Sequence, residues 1–299
     1  MSDIDPQSAV STVWKQQSVW SRAANATRRR IIRARRTVAG LTIGAATAGV
    51  AAAQLGDVHR DVSRILAVLA ASALLLVPLA ARGTARERID AWTRMRSMSE
   101  ALKAETFRYL AGVHPFSGPD RAAVLLERFD ALTDDAADLL GHTVGLRSDA
   151  GPLPEVTDLP SYRRHRVQRQ CEHYYRPAAR RMERSATAIR RVTVGLTLAS
   201  AVLSGVVGVF GNATLAAWVG VLATATSALV GYGAAQQYEH LQMEYARTAD
   251  RLERLQHARD TGRAYTDDDS FVAEAERIVS VSNEAWRAKL IEEVSVEQS

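Results

Sequence analysis

VTVGLTLASAVLSGVVGVFGNATLAAWVGVLATATSALVGYGAAQQY, residues 192–238, runs for 47 positions without an acid, a base or a histidine. A helix crosses hydrocarbon in about 20 apolar residues, so this run is long enough to cross twice. Gly211-Asn212-Ala213-Thr214 is a turn signal at its middle and divides it into spans at 192–210 and 215–232.

Outward from that run, residues 37–55 (TVAGLTIGAATAGVAAAQL) are also uncharged. At about 1.5 Å per residue they reach roughly 28 Å, close to the hydrocarbon thickness. Residues 65–81 (ILAVLAASALLLVPLAA) form a second, shorter uncharged stretch beyond the polar GDVHRDVSR. The expected fold class is therefore all-α and integral to a membrane, with four transmembrane helices in two hairpins. A mean hydropathy of -0.13 hides this, because very apolar and very charged blocks average out.

The alternative, a soluble bundle with four buried helices, conflicts with where the arginines lie. Arg28, Arg29, Arg30, Arg33, Arg35 and Arg36 precede the first span, and Arg82, Arg86, Arg88, Arg94 and Arg96 follow the second. Arg176, Arg180, Arg181, Arg184, Arg190 and Arg191 precede the third. All fall on one expected side; the other has only Arg60 and Arg64, offset by Asp57 and Asp61. The positive-inside rule then predicts an inner-membrane, multi-pass protein with both termini cytoplasmic, and Arg35, Arg36, Arg190 and Arg191 act as topology arginines at the mouths of the spans. No cleavable signal is legible in residues 1–27, so the first span is expected to act as its own insertion signal.

This accounts for the basic balance, 38 Lys+Arg against 33 Asp+Glu, without a nucleic-acid partner. Only three of those cations are lysines: Lys15, Lys103 and Lys289. The single cysteine, Cys171, excludes an internal disulfide and any multi-cysteine metal site.

A shift of 155 residues lays Trp20–Ala46 on Tyr175–Ala201 with nine identities in 27 pairs. The informative match is Arg35-Arg36 and Gly40-Leu41-Thr42 against Arg190-Arg191 and Gly195-Leu196-Thr197, each with three residues between. Duplication of a helix, span, turn, span, helix unit explains it, and an even number of spans per unit keeps both copies in one orientation. The units are expected at 1–115 and 162–265. Between them, 116–161 reads as an acidic, proline-dotted linker with an amphipathic piece, and 266–299 as a C-terminal cytoplasmic helix starting near Asp267–Ser270 and lined by Phe271, Ala275, Ile278, Ala285, Trp286 and Leu290.

Long amphipathic helices flank the spans. Tyr238, Leu241, Tyr245, Thr248, Leu252 and Leu255 alternate steps of three and four, the a/d seam of a coiled coil. Ile89, Trp92, Met95, Met98, Leu102 and Leu110 form a looser stripe. Tyr162, Arg166, Gln170, Tyr174 and Ala178 recur every four residues.

That column, continued as Tyr174-Tyr175 with Ala179, then two spans and the helix YARTADRL of residues 245–252, resembles the SLATT family, whose name abbreviates SMODS and SLOG-associating two-TM effector domain. Trp92, Leu102, Lys103, Glu105 and Tyr109 match the helix after the first hairpin, but the Tyr-Arg-Gln column is missing ahead of span one. The resemblance implies a bacterial membrane effector of a nucleotide-triggered conflict or defence system, which assembles as a homo-oligomer and permeabilises the membrane. Its other expected partners are the lipid bilayer and a nucleotide-sensing protein, since no nucleotide-binding domain is legible. The competing expectation is a non-conducting scaffold that recruits partners through its cytoplasmic helices.

Enzyme signatures are missing: no Walker A motif, GxSxG or HExxH occurs, so no activity, cofactor or metal is expected. His165 and His173 are eight residues apart in a basic helix, and Cys171 has no base partner in view. Within the spans, Gly40, Gly44, Gly195, Gly205 and Gly208 permit close helix approach. The spans hold no Asp, Glu, Lys, Arg or His, which disfavours active transport. Their hydroxyls, Thr42, Thr47, Thr197, Ser200, Ser204, Thr224, Thr226 and Ser227, are the candidate pore lining, weighed against bonds to their own helices.

Overall fold

A computed structural model describes residues 5–280, and among them there is no strand. Ala285, Trp286 and Leu290 of the expected last helix lie outside the described residues. The chain begins with α1 (Pro6–Leu55), 50 residues long, and α2 (Arg60–Ala81). After a short turn come α3 (Arg86–Ala111) and α4 (Arg121–Asp135). Helix α5 (Leu159–Phe210) enters the third span, α6 (Ala213–Gln236) forms the fourth, and α7 (Tyr238–Asp260) leaves it. Residues 268–280 form α8.

Local chemistry sets the breaks. Gly211 has φ +64°, a left-handed conformation that glycine adopts without steric cost, and the Asn212 side chain accepts from Leu215 N–H at 3.2 Å to start α6. At Asp158 the carboxylate accepts from Ser161 N–H at 2.9 Å while the serine side chain reaches back, a capping box that opens α5. Asp267 accepts from Ser270 N–H at 2.7 Å at the expected helix start. One break was not foreseen: Gln237 takes a left-handed φ of 51° and separates α6 from α7 inside an unbroken apolar run.

The helices sort into two compact units. The span unit holds residues 29–85 and 181–240. The extramembrane unit holds the described residues up to Arg28, Arg86–Arg180, and those from Leu241 onward. These units cut across the two sequence repeats, because each repeat contributes a hairpin to one and its flanking helices to the other.

In the span unit the two hairpins lie in the same direction. Gln54 Nε2 donates to the Thr214 carbonyl at 2.9 Å and its Oε1 accepts from Trp218 Nε1 at 3.1 Å, joining the end of α1 to the start of α6. Arg35 donates to the Ala235 carbonyl, and Arg36 Nε donates to the Tyr232 hydroxyl at 3.4 Å, joining the opposite ends. Among the described residues, apart from Leu140, Val144 and Met243, every large apolar side chain that stands exposed belongs to this unit, for example Leu75 (75%) and Val209 (78%). Each such side chain is worth about 1.5–3 kcal/mol out of water, so lipid is the medium this surface suits.

The extramembrane unit contains two apolar clusters that repeat one plan. In the first, Val10, Val13 and Trp20 of α1 pack with Met95, Met98 and Leu102 of α3 and Leu125 of α4. In the second, Tyr162, Val167 and Tyr175 of α5 pack with Leu252 and Leu255 of α7 and Phe271, Val272 and Ile278 of α8. Helix α4 is therefore the first repeat's counterpart of α8. Within 116–161 the amphipathic piece is α4, and Phe116, Leu125, Leu139 and Val156 are buried, because α4 covers apolar surface that α1 and α3 would otherwise leave open.

Candidate functional site

The period-four column ahead of the third span has a structural cause. Residues Arg163–Gln168 and Cys171–Tyr175 form π-helical turns. In a straight α-helix a four-residue step overshoots one turn, and a wider π turn compensates, so Tyr162, Arg166, Gln170 and Tyr174 stay in register.

The column meets a buried charge cluster. Arg166 is 2% exposed and binds Glu276 of α8 through two hydrogen bonds, Nε to Oε1 at 2.9 Å and Nη2 to Oε2 at 2.6 Å. The Tyr162 hydroxyl donates to the same Oε1 at 2.8 Å. Arg166 Nη1 lies 3.9 Å from Glu100 Oε2, and neither atom has a hydrogen-bond partner. Glu100 is held on its other side by Arg96 at 2.7 Å. Burial pushes the Glu100 carboxyl up, but Arg96, Lys103 and Arg166 together overrule it and hold it down to about 2. Burial likewise opposes Glu276, and Arg166 and Tyr162 hold it below its ordinary value.

Aromatic rings box this cluster in. The Arg166 guanidinium lies 5.0 Å from the Phe107 ring centroid, and Arg96 lies 5.7 Å from that of Tyr174. Tyr174 in turn contacts Tyr175 at 5.0 Å and Tyr245 at 6.0 Å.

Beside it opens a cavity of about 680 Å³, lined by Trp14, Lys103, Phe107, Arg166, Arg169 and Tyr174. His165 and His173 of the π turns, and Gln170 between the turns, also line it, and residues 151–155 close one side. Lys103 is partly buried and makes no hydrogen bond or ion pair among the described residues; burial pulls its ammonium below the ordinary lysine range. The Trp14 indole is pinned to this wall, donating to the Gly151 carbonyl at 3.0 Å.

The other candidates are placed as follows. Tyr162, Arg166, Gln170, Tyr174 and Tyr175 all belong to the cluster or the cavity beside it. Along the seam, Leu241, Leu252 and Leu255 are buried and Tyr245 packs on the second cluster, so within this chain the seam is occupied by its own core rather than facing outward as a coiled coil. Tyr238 begins α7 in the span unit. Cys171 is buried; its thiol donates to the Ala249 carbonyl at 3.8 Å and burial pushes it up to about 12. Arg190 and Arg191 are exposed.

Within a single chain the hydroxyls are largely taken by their own helices. Thr42, Thr47 and Thr197 each donate to the carbonyl four residues back at 2.9 Å. Ser204, Thr224 and Thr226 do the same at 2.8–2.9 Å, while Ser200 is half-buried and Ser227 exposed. At Gly40, Gly44, Gly195, Gly205 and Gly208 an added Cβ would meet nothing within 4 Å. Close approach occurs at other glycines: a Cβ on Gly83 would fall 2.5 Å from Ala34 Cβ, and one on Gly233 would fall 3.2 Å from Ile189 Cγ2.

Sequence reasoning missed Glu100, Glu276 and the cavity. The one available signal was an acid, Glu276, inside an otherwise apolar helix pattern.

No curated protein and no solved structure matches this chain. Residues 18–123 match a family described as protein of unknown function, DUF4231, consistent with a second, diverged copy of the unit. Residues 162–286 match the family model described as SMODS and SLOG-associating 2TM effector domain 1, which takes in the Arg166 column, the second hairpin and α7. Four helices long and apolar enough to cross a membrane, together with that match, make this a membrane protein whose residues 162–286 are similar to the SMODS and SLOG-associating 2TM effector domain 1 family.

Proposed function

We propose that this protein is an inner-membrane effector of a bacterial, nucleotide-triggered conflict system, with both termini in the cytoplasm, and that it assembles as a homo-oligomer and makes the membrane permeable. The observation that carries the reading is the four spans themselves: residues 37–55, 65–81, 192–210 and 215–232 hold no Asp, Glu, Lys, Arg or His, and their outer faces expose Val and Leu. Pumps and carriers place charged groups there to bind or relay ions. Four helices whose hydroxyls mostly bond to their own backbones enclose little space, so a conducting path belongs between copies. The open faces at Gly195, Gly205 and Gly208 are the surface on which a second copy would approach closely. The family's description as an effector domain supports the same reading. No catalytic step or cofactor is part of it.

Purified protein reconstituted in dye-loaded liposomes tests this. Release that rises more steeply than linearly with protein density supports an oligomeric path. Liposomes that stay sealed at every density, with and without nucleotides, would leave the non-conducting scaffold in its place.

A further inference from the structure

The extramembrane unit holds a cavity that the reading of the spans leaves unexplained. Its volume of about 680 Å³ lies within the roughly 300–1,000 Å³ of small-molecule sites. Its walls divide by chemistry. One side is cationic, with Lys103 and Arg169 lacking any ion pair among the described residues and His165 and His173 next to them. The other is aromatic, with Trp14, Phe107 and Tyr174.

Lys103 is the informative residue. The chain writes 35 of its 38 cations as arginine, yet places a lysine here, partly buried and with no ion pair among the described residues; the nearby Glu100 carboxylate that attracts it is shared with Arg96 and Arg166. Burial costs this ammonium more than the shared Glu100 carboxylate returns, and a bound anion would offset the remainder. Arg166 cannot supply the charge, because Glu276 already neutralises it; its pairing anchors the helix on which Arg169 and Gln170 follow. A bare phosphate would leave the aromatic side unused, and a lipid headgroup offers no flat ring to it. Glu155, the one acid on the lining, is exposed at the rim, where a carboxylate accepts from sugar hydroxyls.

We propose that this cavity binds a phosphorylated nucleoside, with Lys103 and Arg169 on the phosphate and Trp14, Phe107 and Tyr174 around the base. The assignment does not rest on membrane permeabilisation, and binding is measured separately from leakage. Full-length protein in detergent is titrated calorimetrically with ATP, GTP, CTP, UTP and their 3′,5′-cyclic monophosphates, and in parallel with inorganic triphosphate and unphosphorylated nucleosides. At least one nucleotide is expected to saturate a site, and more tightly than either of its halves. Lys103→Met should weaken it about tenfold or more, the worth of a charge-assisted hydrogen bond. The same variant should melt no lower than the parent, which separates lost binding from lost fold. Arg169→Ala should weaken binding without lowering the melt. No saturable binding across the panel would overturn the proposal, as would affinity unchanged in Lys103→Met. Inorganic triphosphate binding as tightly as any nucleotide would reduce the site to an adventitious anion.

Discussion

Arg166 and Glu276 stand 110 residues apart in the chain and meet through two hydrogen bonds at 2% and 3% exposure, joining the helix that enters the third span to the last described helix. A buried pair of this kind contributes little net stability over apolar residues of the same size, but half of it is costly. Glu276→Gln should therefore lower unfolding stability by about 3–5 kcal/mol, because Arg166 is left without its anion. The double variant Arg166→Met with Glu276→Leu should recover most of that loss. Thermal melts followed by circular dichroism check both; equal losses in the single and double variants would contradict the pairing.

Acid should act through the same cluster. Glu100 is held down to about 2 against an ordinary 4.5, and Glu276 is held down as well. A carboxyl whose folded value is depressed contributes stability that is complete above its unfolded value and lost as pH falls toward the folded one. Melting temperature should therefore fall progressively below about pH 4.5. In Glu100→Gln that acid slope should be shallower, since one of the two depressed groups is gone.

Much of the architecture was legible because lipid imposes long, unmistakable patterns. The 47-residue uncharged run and the arginine clusters located all four spans, and the Arg-Arg and Gly-Leu-Thr strings located the repeat. Packing was not legible, because periodicity marks a face without naming its partner. Leu252 and Leu255 read as a seam between copies and instead meet Phe271 and Tyr162 in one core. The cluster was hidden for a further reason. On the 155-residue shift, Ser11 stands where Arg166 does and Arg121 where Glu276 does, so the repeat could not reveal a pair that only its second copy keeps.

Glycine substitutions should separate packing inside a chain from packing between chains. Gly83→Val places a methyl where Ala34 Cβ already sits, and overpacking of that kind costs about 1–3 kcal/mol. A Cβ added at Gly205 meets nothing within 4 Å in its own chain, so for Gly205→Leu the melt of the detergent-solubilised monomer should be unchanged within about 0.5 kcal/mol. If copies pack through that face, Gly205→Leu should reduce cross-linked oligomer and liposome leakage together, while a neutral result on both would remove Gly205 from the interface.

Topology is testable because the one native thiol is inaccessible. Cys171 is buried and its thiol is pushed up to about 12, and Cys171→Ala gives a cysteine-free background. Gln54 bonds to Thr214 and Trp218, so both hairpin tips emerge at the same end of the span unit. Arg35 bonds to Ala235 at the other end, where the arginines gather. The positive-inside rule puts that end in the cytoplasm. Asp57→Cys and Asn212→Cys should therefore react with a membrane-impermeant maleimide in intact spheroplasts, and Thr84→Cys and Ser185→Cys only after lysis. Labelling of Asp57→Cys without Asn212→Cys would mean that the two hairpins point in opposite directions, and the reverse pattern at all four sites would place the arginine-rich ends outside.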